Sequence, residues 1–263
     1  MLNSIFKRLL NKLRLFISVN KTNGFIKSIV VTFKTKKTVQ INVHGYQLFI
    51  RTSSPDYSVA FESLGDEFKI LKYFFQPNMS GLIVDAGGYI GTASLKFNTM
   101  FPNAQIICIE PSIENIKILK KNISNKNNIS IYNKALNSEN DINIDLKNRE
   151  TGQVGYTIVN PPNHKLSSIQ KTKTISLNHL MTKYNDFRKC IIKVDIEGAE
   201  MDLFENDHIS LDKFEVIIIE LHERILPGIE KSFIKFNHNY KRLFFKTNHE
   251  KFISIKNGFS IDY

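Results

Sequence analysis

The stretch VDAGGYIGTAS, residues 84–94, decides how this chain is expected to fold. Its first residues complete a short apolar run, LIVDA (82–86), with the length and composition of a buried strand. Its last residues open a segment, Gly91–Met100, that reads as a helix. Between them, Gly87 and Gly88 permit positive φ and close backbone approach, and Gly91 permits tight packing where the helix begins. The alternation continues downstream. QIICIE (105–110) is a second strand, and a helix runs from Pro111, well placed in a first turn, to about Asn122. ISIYN (129–133), CIIKVD (190–195) and FEVIIIEL (214–221) follow as strands, with a helix over Ala199–Glu205. Continuous apolar strands separated by helices imply an α/β fold, a mostly parallel sheet with helices on both faces. Ligands of such sheets bind beyond the carboxyl ends of the strands, where the strand order switches. The residues at those ends are Asp85, Glu110, Asn133, Asp195, Glu220 and His222.

Upstream of this core the composition changes. Residues 1–55 carry ten basic side chains and no acid, which leaves 26 basic and 25 acidic residues in the remainder, a net of +1. A broad basic cleft for nucleic acid is therefore not expected. Residues 1–19 read as a helix with Leu2, Ile5, Phe6, Leu9, Leu10, Leu13 and Ile17 on one stripe. That helix either lies on anionic lipid or packs on the main domain or a second subunit. Residues 25–52 (FIKSIVVTF, TVQINV, QLFIRT) read as short antiparallel strands with turn signals at Lys34–Lys37 and His44–Gly45, and Phe61–Gln76 as a helix. The expected domains are a basic N-terminal part over 1–58 and a ligand-binding domain over 59–263. Residues 138–172, with Gly152, Gly155, Pro161 and Pro162, read as an irregular functional loop. No apolar run approaches the length of a spanning helix. The two cysteines, Cys108 and Cys190, sit in apolar runs, so a reducing, cytoplasmic setting is expected, with membrane association left open through residues 1–20. No G-x-S-x-G, H-E-x-x-H or Walker pattern occurs.

The chemistry sits at the strand ends. The helix start after the glycine turn offers free N–H groups to an anion. Glu110, about twenty residues later, can take both hydroxyls of a ribose. Residues 86–91 read A-x-G-x-x-G, with Ala86 in the first glycine place of a dinucleotide fingerprint. Asp85 would repel a pyrophosphate there and favour the sulfonium and amino group of S-adenosylmethionine; it could otherwise cap the following helix. In IIKVDIEGAEMDLF (191–204), Asp195 and Glu197 close a strand and Gly198 turns the chain, while Glu200 also suits a helix start. In IIIELHE (217–223), Glu220 and His222 share one face of a strand end, and His222 is a candidate general base.

The runs VDAGGYIGTAS, IICIEPS, NKAL, ISLNHL, IIKVDIEGAE and IIIELH, in that order over roughly residues 60–225, resemble the FkbM-type methyltransferases. The resemblance implies a class I, Rossmann-like fold that uses S-adenosylmethionine to methylate a hydroxyl of a sugar, glycan or natural product. It implies that Asp85, Gly87 and Gly91 line the methionine end, Glu110 the ribose and Ala135–Leu136 the adenine region, with Ala86, Pro111 and Asp195 also bordering the cofactor. Asp195, His222 and Glu197 are the expected catalytic residues, with His222 or Asp195 as base. The family often carries Ala-Asn where this chain has Gly88 and Tyr89, and an acid where it has Asn178. Asp195, Glu197 and His222 could instead hold a divalent ion, but no ligand spacing singles one out and no metal is expected. The partner expected is a small molecule or glycan, not nucleic acid; oligomeric state is open. The rival readings are a nicotinamide-dependent oxidoreductase and a non-catalytic binding protein on the same scaffold.

Overall fold

The computed structural model describes residues 2–33, 35–162 and 164–259. Met1, Lys34, Asn163 and residues 260–263, which the expected elements and domain bounds include, lie outside the described residues. The chain begins with two helices, α1 (Leu2–Asn23) and α2 (Phe25–Thr32), and a hairpin of β1 (Thr38–Val43) and β2 (Tyr46–Arg51). Helix α3 (Asp56–Leu64) and a 3-10 turn over Lys69–Tyr73 lead into β3 (Leu82–Ala86), α4 (Thr92–Met100), β4 (Gln105–Ile109), α5 (Ile113–Asn122) and β5 (Ile129–Tyr132). Short strands β6 (Ala135–Leu136), β7 (Asn143–Asn148), β8 (Tyr156–Thr157) and β9 (Ser167–Ile175) precede α6 (Leu177–Lys183) and β10 (Cys190–Val194). The chain continues through α7 (Glu200–Asn206), α8 (His208–Leu211), β11 (Val216–Glu220), α9 (Ile229–Asn239), β12 (Leu243–Asn248) and β13 (Lys251–Ile255).

The central sheet has the order β12-β13-β11-β10-β3-β4-β5. Five neighbours, β11-β10-β3-β4-β5, pair in parallel; β13 alone runs the other way, antiparallel to both β11 and β12. The chain winds outward from β3 to β5, then returns to place β10 on the other side of β3, so the switch point lies between β3 and β10. Strands β3 and β10 are buried at every position because both faces are covered. Alternate side chains enter different cores: Ile83, Ile106 and Ile191 join one apolar cluster, Val84, Ile107 and Ile192 the other. The first cluster also contains Ile41, Leu48 and Ile50 of the hairpin, and Asn122 of α5 bridges Phe49 N–H (2.7 Å) and the Ile90 carbonyl (2.8 Å).

Four expected elements differ. FIKSIVVTF forms helix α2, not a strand: Gly24 turns the chain at φ 79°, and Ser28, Val31 and Thr32, spaced three and four apart, are its buried side. Tertiary packing overrides the β preference of Ile and Val. The helix expected over 61–76 starts earlier and stops at Leu64, where Lys96 Nζ donates to the Leu64 and Gly65 carbonyls (2.8 and 2.6 Å). Pro111 precedes α5, whose N-cap is Ser112, accepting from Asn115 N–H at 3.3 Å. Residues 138–172 are irregular over much of their length but carry strands at both ends: β9 pairs antiparallel with β7 and parallel with β6, and β7 carries β8 at its other edge. The mostly exposed, polar β9 gives little apolar alternation from which to read a strand.

Candidate active site

The ends of β3, β4, β10 and β11 open into one cleft, which β6, β7, β8 and the α3 region also border. Its glycine turn is held by contacts that admit no side chain. A Cβ on Gly87, at φ 79°, would lie 1.8 Å from the Asp195 carbonyl oxygen, and one on Gly88 would lie 2.2 Å from Cys108 Sγ. Both N–H groups donate to the Ile109 carbonyl (3.0 and 2.9 Å). The alanine that the resemblance places at 88 would therefore meet Cys108. Tyr89 adopts φ 50°, a left-handed conformation that Asn accepts more readily than Tyr. Two bonds hold it: its N–H donates to Glu110 Oε2 (2.8 Å), and its hydroxyl donates to Asp56. Asp56 in turn accepts from Arg51 Nη2, Nε and backbone N–H at 2.9, 3.0 and 2.7 Å.

Glu110 lines the cleft, as do Gly87, Pro111, Ala135 and Leu136. Its other oxygen accepts from Ser112 N–H (2.9 Å) and Asn115 Nδ2 (3.1 Å). Burial pushes its pKa up to about 7 against the lowering pull of these donors.

Asp85 requires a correction. It was expected to face the cleft, but it is fully buried and does not line it. Strand parity is the cause: Asp85 shares a face with Ile83, under α4. Ser94 Oγ donates to its Oδ2 (2.6 Å), and Lys193, its cross-strand neighbour on β10, stands 3.3 Å from Oδ1. Ala86 and Gly91 likewise stand behind the cleft wall; Gly91, at φ 85°, caps α4 against Leu119 and Ile123.

Lys193 is the group that sequence reasoning missed. Its Nζ donates to the Gly87 carbonyl (2.7 Å), lies 3.5 Å from Asp195 Oδ2 and lines the cleft. Burial alone would lower its pKa, but Asp85 and Asp195 raise it above the usual lysine value. A lysine inside the apolar run CIIKVD was the available signal, since a buried charge needs a partner.

Asp195, Glu197 and Glu220 line another part of the wall, and His222, fully buried, stands behind them. Glu197 (φ 53°) and Gly198 (φ 101°) turn the chain in left-handed conformations, aiming Glu197 back at the cluster, where Arg149 pairs with it. His222 Nδ1 lies 2.7 Å from Glu200 Oε1, which also accepts from Gly198 N–H at 3.2 Å. Nε2 lies 3.7, 3.6 and 3.7 Å from Asp195, Glu197 and Glu220. Burial opposes a charge on the ring, yet the carboxylates, Glu200 first, raise its pKa to about 9. Burial raises Glu197 to about 7; Asp195 is lowered, its own burial outweighed by Lys193 and His222.

The donor set suits a sulfonium nucleoside. A carboxylate for ribose hydroxyls stands beside an apolar wall that includes Ile109, Leu136 and Ile158, and the lining acids, Glu62, Glu67, Asp195, Glu197 and Glu220 with Glu110, outnumber the lining lysines, Lys193 and Lys251, which leaves negative charge for a cation. Strand order, glycine turn and acid-lined cleft together define a class I methyltransferase. Solved structures similar to this chain include a precorrin-6y C5,15-methyltransferase from Geobacter metallireducens (12% identity, 76% of this chain and 87% of that one, TM-score 0.41). Others are the Methanococcus jannaschii fibrillarin pre-rRNA processing protein (13%, 85% and 83%, 0.42) and P. horikoshii TYW2 in complex with MeSAdo (14%, 84% and 70%, 0.41). No curated protein matches. Residues 85–248, well over half of the chain, match the sequence model of the methyltransferase FkbM domain, and the chain belongs to that family. It is a methyltransferase and its cofactor is S-adenosylmethionine. Membership sets aside the nicotinamide oxidoreductase and the non-catalytic scaffold.

Proposed function

We propose that this methyltransferase acts on a hydroxyl of a sugar, glycan or natural-product acceptor. The observation that carries the reading is the convergence of Asp195, Glu197 and Glu220 on one wall of the cofactor cleft, with buried His222 behind them. Such groups accept hydrogen bonds and a proton from a hydroxyl, and they repel the phosphates of a nucleic acid. The bound cofactor supplies a methyl group already activated on a sulfonium. The chain's own task is then to hold the acceptor oxygen in line with that carbon and to let the proton pass to the Asp195–Glu197–His222 cluster. Lys193 keeps Asp195 ionised, and Glu110 holds the ribose. Methyl-labelled cofactor offered to a panel of glycan and polyketide alcohols tests the reading: label is expected as an ether on oxygen. Label recovered only on nitrogen, carbon or RNA overturns it.

We infer also that α1 and α2 rest on an anionic lipid surface. Phe6, Leu9, Leu13 and Ile17 of α1, with Phe25 and Ile26 of α2, are each more than half exposed. Lys7, Lys12, Arg14, Lys21 and Lys27 are also exposed on these helices, and no acid precedes Asp56. No described helix is long and apolar enough to cross a membrane.

A further inference from the structure

Among the described residues, buried His222 Nε2 has no hydrogen-bond partner, although the ring is fully enclosed. It points into a space bounded by carboxylates: Asp195 Oδ1 at 3.7 Å, Glu197 Oε2 at 3.6 Å and Glu220 Oε1 at 3.7 Å. One ligand atom each from Asp195, Glu197 and His222 falls within 4.8 Å of the others. Donors at about 2.1 Å from one ion stand about 3 Å apart when adjacent and about 4.2 Å when opposite, and the Nε2 distances to Asp195 and Glu197, 3.7 and 3.6 Å, fall between the two. The other ring nitrogen is already oriented: Nδ1 lies 2.7 Å from Glu200 Oε1, the carboxylate–histidine arrangement that fixes the tautomer of a metal-binding imidazole.

We propose that Asp195, Glu197 and the Nε2 of His222 bind one divalent cation, with Glu220 beside them and Glu200 as the positioning residue behind the imidazole. One nitrogen and several carboxylate oxygens suit an ion that accepts mixed ligands, such as Mn²⁺ or Mg²⁺. A proton on Nε2 and the cation are alternatives for the same place. Lys193 engages Asp195 through Oδ2, 3.5 Å away, which leaves Oδ1 for the ion. Arg149 competes for Glu197. Asp195, Glu197 and Glu220 line the cleft, so the remaining coordination positions face it. An acceptor hydroxyl is a fitting ligand there, a part of the assignment that rests on the oxygen-acceptor reading.

Mn²⁺ titrated into the chelator-stripped full chain, followed by electron paramagnetic resonance and calorimetry, tests the site. One Mn²⁺ per chain is expected at micromolar concentration. His222→Gln and Asp195→Asn should each weaken it by at least about tenfold, and Glu200→Gln by about tenfold or more. Arg149→Gln should tighten it, a response that a merely structural cluster would not give. Circular dichroism and the thermal unfolding midpoint, measured in parallel, report whether each variant is folded. Asp195→Asn, at a partly exposed side chain, keeps the test valid where His222→Gln does not fold. No bound Mn²⁺ at millimolar concentration, or undiminished binding in a folded Asp195→Asn chain, overturns the site. Mn²⁺ bound as expected, with methyl transfer to something other than a hydroxyl, would overturn the oxygen-acceptor reading alone.

Discussion

At Glu110, burial and function pull in opposite directions. The folded chain holds this proton up to about pH 7, whereas the unfolded carboxyl titrates near 4.5. The stability this group contributes is therefore present at low pH and falls as pH rises from about 4.5 to about 7. Ribose hydroxyls donate best to the ionised form. S-adenosylhomocysteine affinity is accordingly expected to rise between about pH 6 and pH 8, and Glu110→Gln to remove that rise while weakening binding about tenfold or more. Calorimetry across that range decides it; a wild-type profile that stays flat would exclude Glu110 as the titrating group. The acid itself was legible from its spacing after the glycine turn. Its internal donors, Tyr89, Ser112 and Asn115, were not, because they reach it from the left-handed turn after β3 and from the start of α5, whose placement the tertiary fold sets. Asp85 is the reverse case: its position was legible and its direction was not, since only strand parity and the β3–β10 register turn it toward Lys193.

Among the elements, the link between the hairpin and the glycine turn matters most. β2 ends at Arg51, α3 begins at Asp56, and both converge on Tyr89 in the turn after β3. The Arg51–Asp56 pair is largely buried, with side-chain exposures of 13% and 0%, so removing one partner strands the other charge. Asp56→Ala is expected to cost about 3–5 kcal/mol in denaturant unfolding. Tyr89→Phe removes one bond to a carboxylate and should cost about 1.5–3 kcal/mol, with weaker cofactor binding because the Tyr89 N–H orients Glu110. In a double-mutant cycle the two losses should fall short of additive; strict additivity would mean that the link carries no coupling. Helix α2 shows where element reading fails. IKSIVV has the residue types of a strand, but no described strand pairs with it, and α1 and the hairpin region give it a helical seat instead.

For the whole molecule, the cofactor cleft and the exposed N-terminal helices are separate surfaces. Among the described residues, none before Val59 lines the cleft. A chain lacking residues 1–14 keeps Ser18, whose Oγ lies 2.7 Å from the Tyr57 hydroxyl, and the buried Val19. It should bind S-adenosylhomocysteine with unchanged affinity yet lose flotation with phosphatidylglycerol vesicles, while the full chain floats with these and not with neutral ones. Equal flotation of the two chains would remove the lipid surface. The apolar stripe of α1 was visible at three- and four-residue spacing, but such a stripe only states that something covers it. Among its described residues Phe6, Leu9, Leu13 and Ile17 are more than half exposed in the folded chain.

The amino-acid order by itself determined the alternating strands and helices, the glycine turn and the carboxylates at strand ends, because these depend on local periodicity and short spacings. The tertiary structure alone decided which way those carboxylates point. It paired Asp85 with Lys193 across 108 residues of chain, from 85 to 193, and closed Glu200 onto His222. Such contacts depend on strand order and register, which bring distant residues together without leaving a mark in any one segment.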